Sequence, residues 1–175
     1  MATDAAWLAQ LVRSIEDYPT PGVTFRDITP LLGDASAFRY SIDALADHFA
    51  GAKIDRVAGM EARGFIIAAA VAYRIGSAFI PIRKAGKLPW AVAREEYSLE
   101  YGSDKLEIHR DALLPGEHVL IVDDVLATGG TAAATVRLIE GLGGKVAGLA
   151  FLIEIAALNG ASKLGIHERI SLLRF

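Results

Sequence analysis

The chain has 175 residues, 53% of them hydrophobic, and a formal net charge of −3, a length that suits one domain with a sizeable core. The acidic balance argues against a nucleic-acid footprint or an anionic-membrane surface. With no cysteine, disulfides and thiolate metal sites are excluded, and His48, His109, His118 and His167 match no metal-ligand spacing.

Trp7, Leu8, Leu11, Val12 and Ile15 fall at helical spacing, which predicts an amphipathic helix over residues 4–17, with Asp4 as its N-cap and a stripe suited to core or interface packing. Pro19 and Pro21 end it and force extended chain. The segment YPTPGVTFRDITPLL reads as an irregular, apolar loop. Asp34 then caps a second helix with Phe38, Ile42, Leu45 and Phe49 on its inner face, and Gly51 closes it.

Arg56 to Gly59 reads as a short strand that runs into the turn Met60-Glu61-Ala62-Arg63-Gly64 and an apolar helix, Phe65 to Tyr73. That apolar run falls far short of the roughly 20 residues of a membrane span. A strand, a glycine-bearing turn and a helix N-terminus form an anion site, here with Arg63 in the turn; an ordinary strand–helix turn has the same local pattern. Ala78 to Ile82 is the next strand, and Arg83, Lys84 and Lys87 follow it. Such cations are often just solvated, but these emerge at a strand's carboxyl end, where open α/β sheets bind ligands.

Residues 91–108 are polar, charged and aromatic, with Tyr97, Leu99 and Tyr101 alternating as in a strand until Gly102. They suit a long mobile ribbon of the kind used as an active-site lid. Taken alone, Glu100 is one of five acids there.

The most informative stretch is HVLIVDDVLATGGTAAATVRLIE, His118 to Glu140. Val119 to Val122 predicts a strand buried on both faces. Asp123 and Asp124 follow, then the turn Ala127-Thr128-Gly129-Gly130-Thr131, then a helix. The turn amides and the helix N-terminus favour a phosphate. Gly129 and Gly130 allow close backbone approach and positive φ, and either threonine could cap the helix. A Walker A loop is a poor match, because no lysine follows the glycines. Two acids beside a phosphate nest make sense if sugar hydroxyls donate to them near a divalent cation; the plainer reading is a tight turn with two solvated acids. Lys145 to Ile153 is the next parallel strand, Asn159-Gly160 a turn, and Ile170 to Phe175 a short terminal strand.

VLIVDDVLATGGT resembles the phosphoribosyl-pyrophosphate (PRPP) signature of the type I phosphoribosyltransferases. The resemblance implies that Asp123 and Asp124 hold the ribose 2′- and 3′-hydroxyls and that Ala127, Thr128, Gly129, Gly130 and Thr131 cradle the 5′-phosphate. Glu61-Ala62-Arg63-Gly64 matches the family's pyrophosphate loop, which carries a non-proline cis peptide, placed here at Glu61–Ala62. With Arg83, Lys84 and Lys87 these residues would bind pyrophosphate. PTPGVTFRDI and IRKAGKLP resemble the adenine phosphoribosyltransferases in particular. There Val23 and Arg26 would meet adenine through their backbone, with Phe25 packed against it. One donor and one acceptor read the amino and ring-nitrogen edge and clash with a 6-oxo purine. YSLEYG resembles the family's catalytic flexible loop, making Glu100 the general acid/base and Tyr101 a neighbour that shapes the closed site.

The resemblance implies an α/β type I phosphoribosyltransferase fold: a central, mostly parallel sheet flanked by helices in one domain over 1–175. A small hood from about residues 1–33 and the C-terminal segment would cover the base, and a flexible loop would span about 91–108. It further implies Mg²⁺ held mainly by PRPP oxygens and water without a protein ligand, a homodimer, and a cytoplasmic enzyme of purine salvage that makes AMP. The N-terminus has no basic leader region, in keeping with a cytoplasmic protein. Two alternatives are a 6-oxopurine phosphoribosyltransferase, which typically uses a lysine to read the oxo group, and a non-catalytic PRPP-sensing regulator. The second would carry a basic DNA-binding segment, for which this acidic chain leaves no room, and would lack the acid that Glu100 supplies.

Overall fold

The apolar run Val119 to Val122 is the centre of the molecule. In the computed structural model, which describes residues 5–98 and 103–175, none of these four side chains has exposed surface. Leu120 and Val122 enter one core, and Val119 and Ile121 enter another on the opposite face. A strand covered on both sides has to be apolar at every position.

The strands are β1 (Arg13–Ile15), β2 (Phe25–Asp27), β3 (Arg56–Met60), β4 (Ala78–Lys84), β5 (Val92–Ser98), β6 (Ser103–His109), β7 (His118–Leu126), β8 (Lys145–Glu154) and β9 (Arg169–Arg174). The helices are α1 (Thr29–Gly33), α2 (Ala35–His48), α3 (Gly64–Ile75) and α4 (Gly130–Gly141). Among the described residues the main sheet runs β5-β6-β4-β3-β7-β8-β9. From β4 to β9 its neighbours are parallel, and the β5–β6 hairpin joins β4 antiparallel. α2 and α3 cover one face; α4 and the 3₁₀ turn Gly160–Leu164 cover the other. β1 and β2 form a separate antiparallel pair. This is the mostly parallel α/β sheet with flanking helices that the sequence implies.

Asp34 caps α2 as predicted, accepting from the amides of Ser36 at 2.9 Å and Ala37 at 2.8 Å. Gly59 lets α3 lie close to the sheet, since a Cβ there would sit 2.6 Å from that of Ala68.

Several expectations are corrected. The first helix is only a 3₁₀ stretch, Ala6–Leu11, without a side-chain cap; Asp4 lies outside the described residues. Arg13 to Ile15 instead pairs with Phe25 to Asp27, so strand pairing overrides the local helical pattern, and that pairing also orders part of the expected loop. α2 ends on Phe49, whose N–H bonds Ala46 O, rather than at Gly51. Ribbon 91–108 is largely two strands in continuous register from Val92↔His109 to Ser98↔Ser103. Asp123 and Asp124 lie within β7, not beyond it.

Candidate active site

Parallel register brings three strand ends to one edge. Gly59 of β3 lies opposite Val122 of β7 and Pro81 of β4, and Met60 lies opposite Ile82. The next residues along these strands, Glu61, Arg83 and Asp123, therefore share the carboxyl edge of the sheet.

Between β7 and α4 the chain forms a small cup of about 70 Å³, lined by Asp123 and residues 125–132. Gly129 precedes α4 with φ +76°, and no side chain caps the helix, so the proposed threonine caps do not form. The first-turn amides of an uncapped helix lack intrahelical partners and suit an anion.

Asp123 lines the cup, and Asp124 lies buried beside it. Asp123 Oδ1 accepts from the Asp124 amide at 2.9 Å. Gly64 is required beneath it, because a Cβ there would lie 2.4 Å from that oxygen. Burial pushes the Asp123 carboxyl well above the usual aspartate range, and the neighbouring Asp124 charge adds to the effect, although the residue keeps some surface. Burial also raises Asp124, against the pull of Arg63. Arg63 Nε lies 2.7 Å from Asp124 Oδ2 but is not aimed along a hydrogen bond, so this buried oxygen has no hydrogen-bond donor among the described residues.

On the β3–α3 turn the Glu61–Ala62 bond is cis, as the resemblance implied. The Glu61 side chain, 6% exposed, joins Arg83 at 2.8 Å and Lys87 at 2.6 Å. Its burial opposes ionisation, but hydrogen bonds from Lys87 and Arg83 outweigh this and lower its pKa. Arg83 also donates to Lys87 O at 3.2 Å. Lys84 is not brought into this group: its ammonium lies 3.0 Å from Asp104 on β6. Successive strand side chains take opposite faces, which separates Lys84 from Arg83.

The β1–β2 pair supplies the remaining wall. The Phe25 ring lies 4.9 Å from the Arg63 guanidinium carbon and packs edge-on against Tyr18 at 5.4 Å. The Arg26 side chain turns away, bonding Ser14 and covering the Phe175 ring at 4.2 Å. The Val23 amide donates to Thr20 O and its carbonyl accepts from Tyr18, which leaves that carbonyl one lone pair for a ligand. Glu100 and Tyr101 lie outside the described residues.

Two contributors escaped sequence reasoning. Glu107 is 1% exposed and accepts from Gly86 N and Arg94 Nε at 2.9 and 2.8 Å, holding the loop that carries Lys87. Between Leu106 and Ile108 on β6 it reads as a solvent-facing strand position, so no local signal marked it. Gly160 packs backbone to backbone on the cup; locally it reads only as a turn.

The family model for the phosphoribosyl transferase domain matches residues 35–165. An adenine phosphoribosyltransferase of Methylobacillus flagellatus is 54% identical over 170 residues, covering 96% of this chain and 97% of that protein. The crystal structure of the adenine phosphoribosyltransferase from Thermoanaerobacter pseudethanolicus superposes with a TM-score of 0.95 at 50% identity, covering 98% of this chain and 99% of that one. That of Saccharomyces cerevisiae, complexed with an imino-altritol bisphosphate and adenine, gives 0.92 at 38% identity, covering 99% of this chain and 100% of that one.

Proposed function

As the chain belongs to the adenine phosphoribosyltransferase family, with the type I phosphoribosyltransferase fold, we propose that it transfers the 5-phosphoribosyl group of PRPP to adenine, giving AMP and pyrophosphate. The supporting observation is the position of Arg63. It pairs with Asp124, next to the cup-lining Asp123, and lies against Phe25 of the proposed hood, so the three parts that PRPP and a base require meet at one side chain.

The 5′-phosphate sits in the cup at residues 127–131, and the ribose hydroxyls donate to Asp123 and Asp124. Adenine lies under Phe25, read by backbone groups of Val23 and Arg26. Its ring nitrogen bonds to the anomeric carbon as the bond to pyrophosphate breaks, and both electrons of that bond leave with the pyrophosphate. Arg63, Arg83 and Lys87 stabilise the departing charge as fixed cations; Glu61 aims the last two, and Lys84 joins if it exchanges Asp104 for the ligand. Glu100 takes the proton that adenine sheds.

Mg²⁺ would be held mainly by PRPP oxygens and water, without a protein side chain bonded to it. When bound, the ion adds positive charge to the leaving group. Among the described residues no helix is long and apolar enough to cross a membrane, and a cytoplasmic salvage role accords with the chemistry. For the homodimer, Leu8 and Val12 of the first segment are buried while Trp7 is 40% exposed, so the core takes up only part of that stripe. The pairing face is assigned to α3, where Ile66 and Tyr73 are 46% and 90% exposed.

The test supplies PRPP and Mg²⁺ with adenine, hypoxanthine, guanine or xanthine, alongside Glu100→Ala. AMP from adenine alone, with the variant severely slowed, is expected. Turnover of a 6-oxo purine would overturn the base-site reading, and an undiminished Glu100→Ala would remove that residue's role.

A further inference from the structure

The 5′-phosphate cup is backed by a segment distant in sequence. Beyond β8 the chain returns beneath it, where the Ile155 N–H donates to Leu126 O at 2.9 Å. It then passes through Asn159, at φ +48°, into the buried Gly160. A Cβ on Gly160 would lie 2.2 Å from Ala127 O, 2.8 Å from Gly129 N and 3.0 Å from Thr128 C. Conversely, a Cβ on Gly129 would lie 2.3 Å from Gly160 O. All four atoms are backbone, so no side chain can swing aside. Leu164, 2% exposed, anchors the same turn in the core that holds Leu126 and Ala132.

We propose that Gly160 is a positioning residue for the 5′-phosphate: its bare backbone braces residues 127–129 and so fixes the direction of the cup's amides. Carbonyl and amide of one trans peptide point in opposite directions. With the Ala127 carbonyl against Gly160, the Thr128 N–H faces the cup. Any side chain at 160 has to push that carbonyl away by about 1 Å to reach ordinary contact at 3.4 Å, which turns the amide off the phosphate. A misplacement of about 1 Å in a positioned site can cost on the order of 10²-fold. The inference rests on the reading of residues 127–131 as the 5′-phosphate site.

The test measures AMP and adenosine affinity and the KM for PRPP, in the wild type and in Gly160→Ala. AMP and adenosine differ only by the 5′-phosphate. The variant is expected to lose AMP affinity and raise the PRPP KM by on the order of 10²-fold, while adenosine affinity stays within about twofold, so that the loss is confined to the phosphate. Equal weakening of AMP and adenosine, or an unchanged PRPP KM, would overturn the brace. A wild type that binds AMP no better than adenosine would instead refute the phosphate-site reading. Should Gly160→Ala fail to fold, Leu164→Val loosens the turn from its anchor. It is expected to raise the PRPP KM several-fold at constant adenosine affinity, and no change there overturns the proposal.

Discussion

Asp123→Asn should make the ligand-free protein more stable and the enzyme worse. The substitution preserves shape, and the amide oxygen can still accept the Asp124 N–H now bonded at 2.9 Å. It removes one of two adjacent acids whose ionisation burial opposes, Asp123 being further disfavoured by the Asp124 charge. Relief of such a conflict at a functional site is commonly worth about 0.5–2 kcal/mol. Taking about 1–2 kcal/mol, the Tm should rise by roughly 3–6 °C for a chain of this size. The pH dependence follows from the raised folded pKa. Below the ordinary value of 3.8, folded and unfolded wild type both hold the proton, and the variant has no electrostatic advantage. As pH climbs from there to the raised folded value, only the unfolded state sheds it, so wild type loses stability and the gap opens. Losing a charge-assisted bond to a ribose hydroxyl costs about 1.5–3 kcal/mol, or roughly 10–100-fold in the KM for PRPP. Calorimetry from pH 4 upward, with steady-state kinetics at neutral pH, tests both halves. A variant that melts lower than wild type at neutral pH, or binds PRPP equally well, refutes the reasoning.

Glu61→Gln has the opposite pH signature. The lowered folded pKa of Glu61 gives stability that is full above the ordinary glutamate value of 4.5 and lost as pH falls through the folded value. Because Arg83 and Lys87 are 34% and 50% exposed, the two bonds should be worth about 1–2 kcal/mol together after screening. Thermal melts at pH 7 and pH 4 should show the deficit shrinking, with a PRPP KM raised roughly tenfold at pH 7; a deficit that grows on acidification would contradict the assignment. Gly59→Ala places a Cβ 2.6 Å from that of Ala68 and 2.8 Å from the Phe79 ring, so urea titration should show a loss of about 1–3 kcal/mol, and an unchanged midpoint would show that α3 can retreat.

What could be read from the chain beforehand was whatever depends on neighbouring residues. Val119 to Val122 read as doubly buried, Asp34 as a cap, and Gly129 and Gly130 as able to take the positive φ that Gly129 adopts. What escaped depended on partners far away in sequence. Trp7, Leu8 and Leu11 carry a helical period, yet Ile15 is claimed by Phe25 across a ladder. Four basic side chains in two loops suggested one cluster, but strand alternation gives Lys84 to Asp104. Glu107, one of five acids in ribbon 91–108, is buried, with the Gly86 amide and Arg94 satisfying it. The carboxyl edge and its acids were therefore legible as chemistry, while the contacts that aim them were not.

The pairing of β3 with β7 also makes the sheet a gauge. The loop proposed to bind pyrophosphate hangs from one strand and the cup proposed for the 5′-phosphate from its immediate neighbour, so one interstrand step of about 4.8 Å sets the separation at which the two anchorages begin. That interval is held by backbone bonds, and no side-chain replacement readily stretches it. A phosphorylated sugar whose two charged ends lie nearer together or farther apart is thus measured against a fixed span, and selection by length would persist in variants whose selection for the base has been lost.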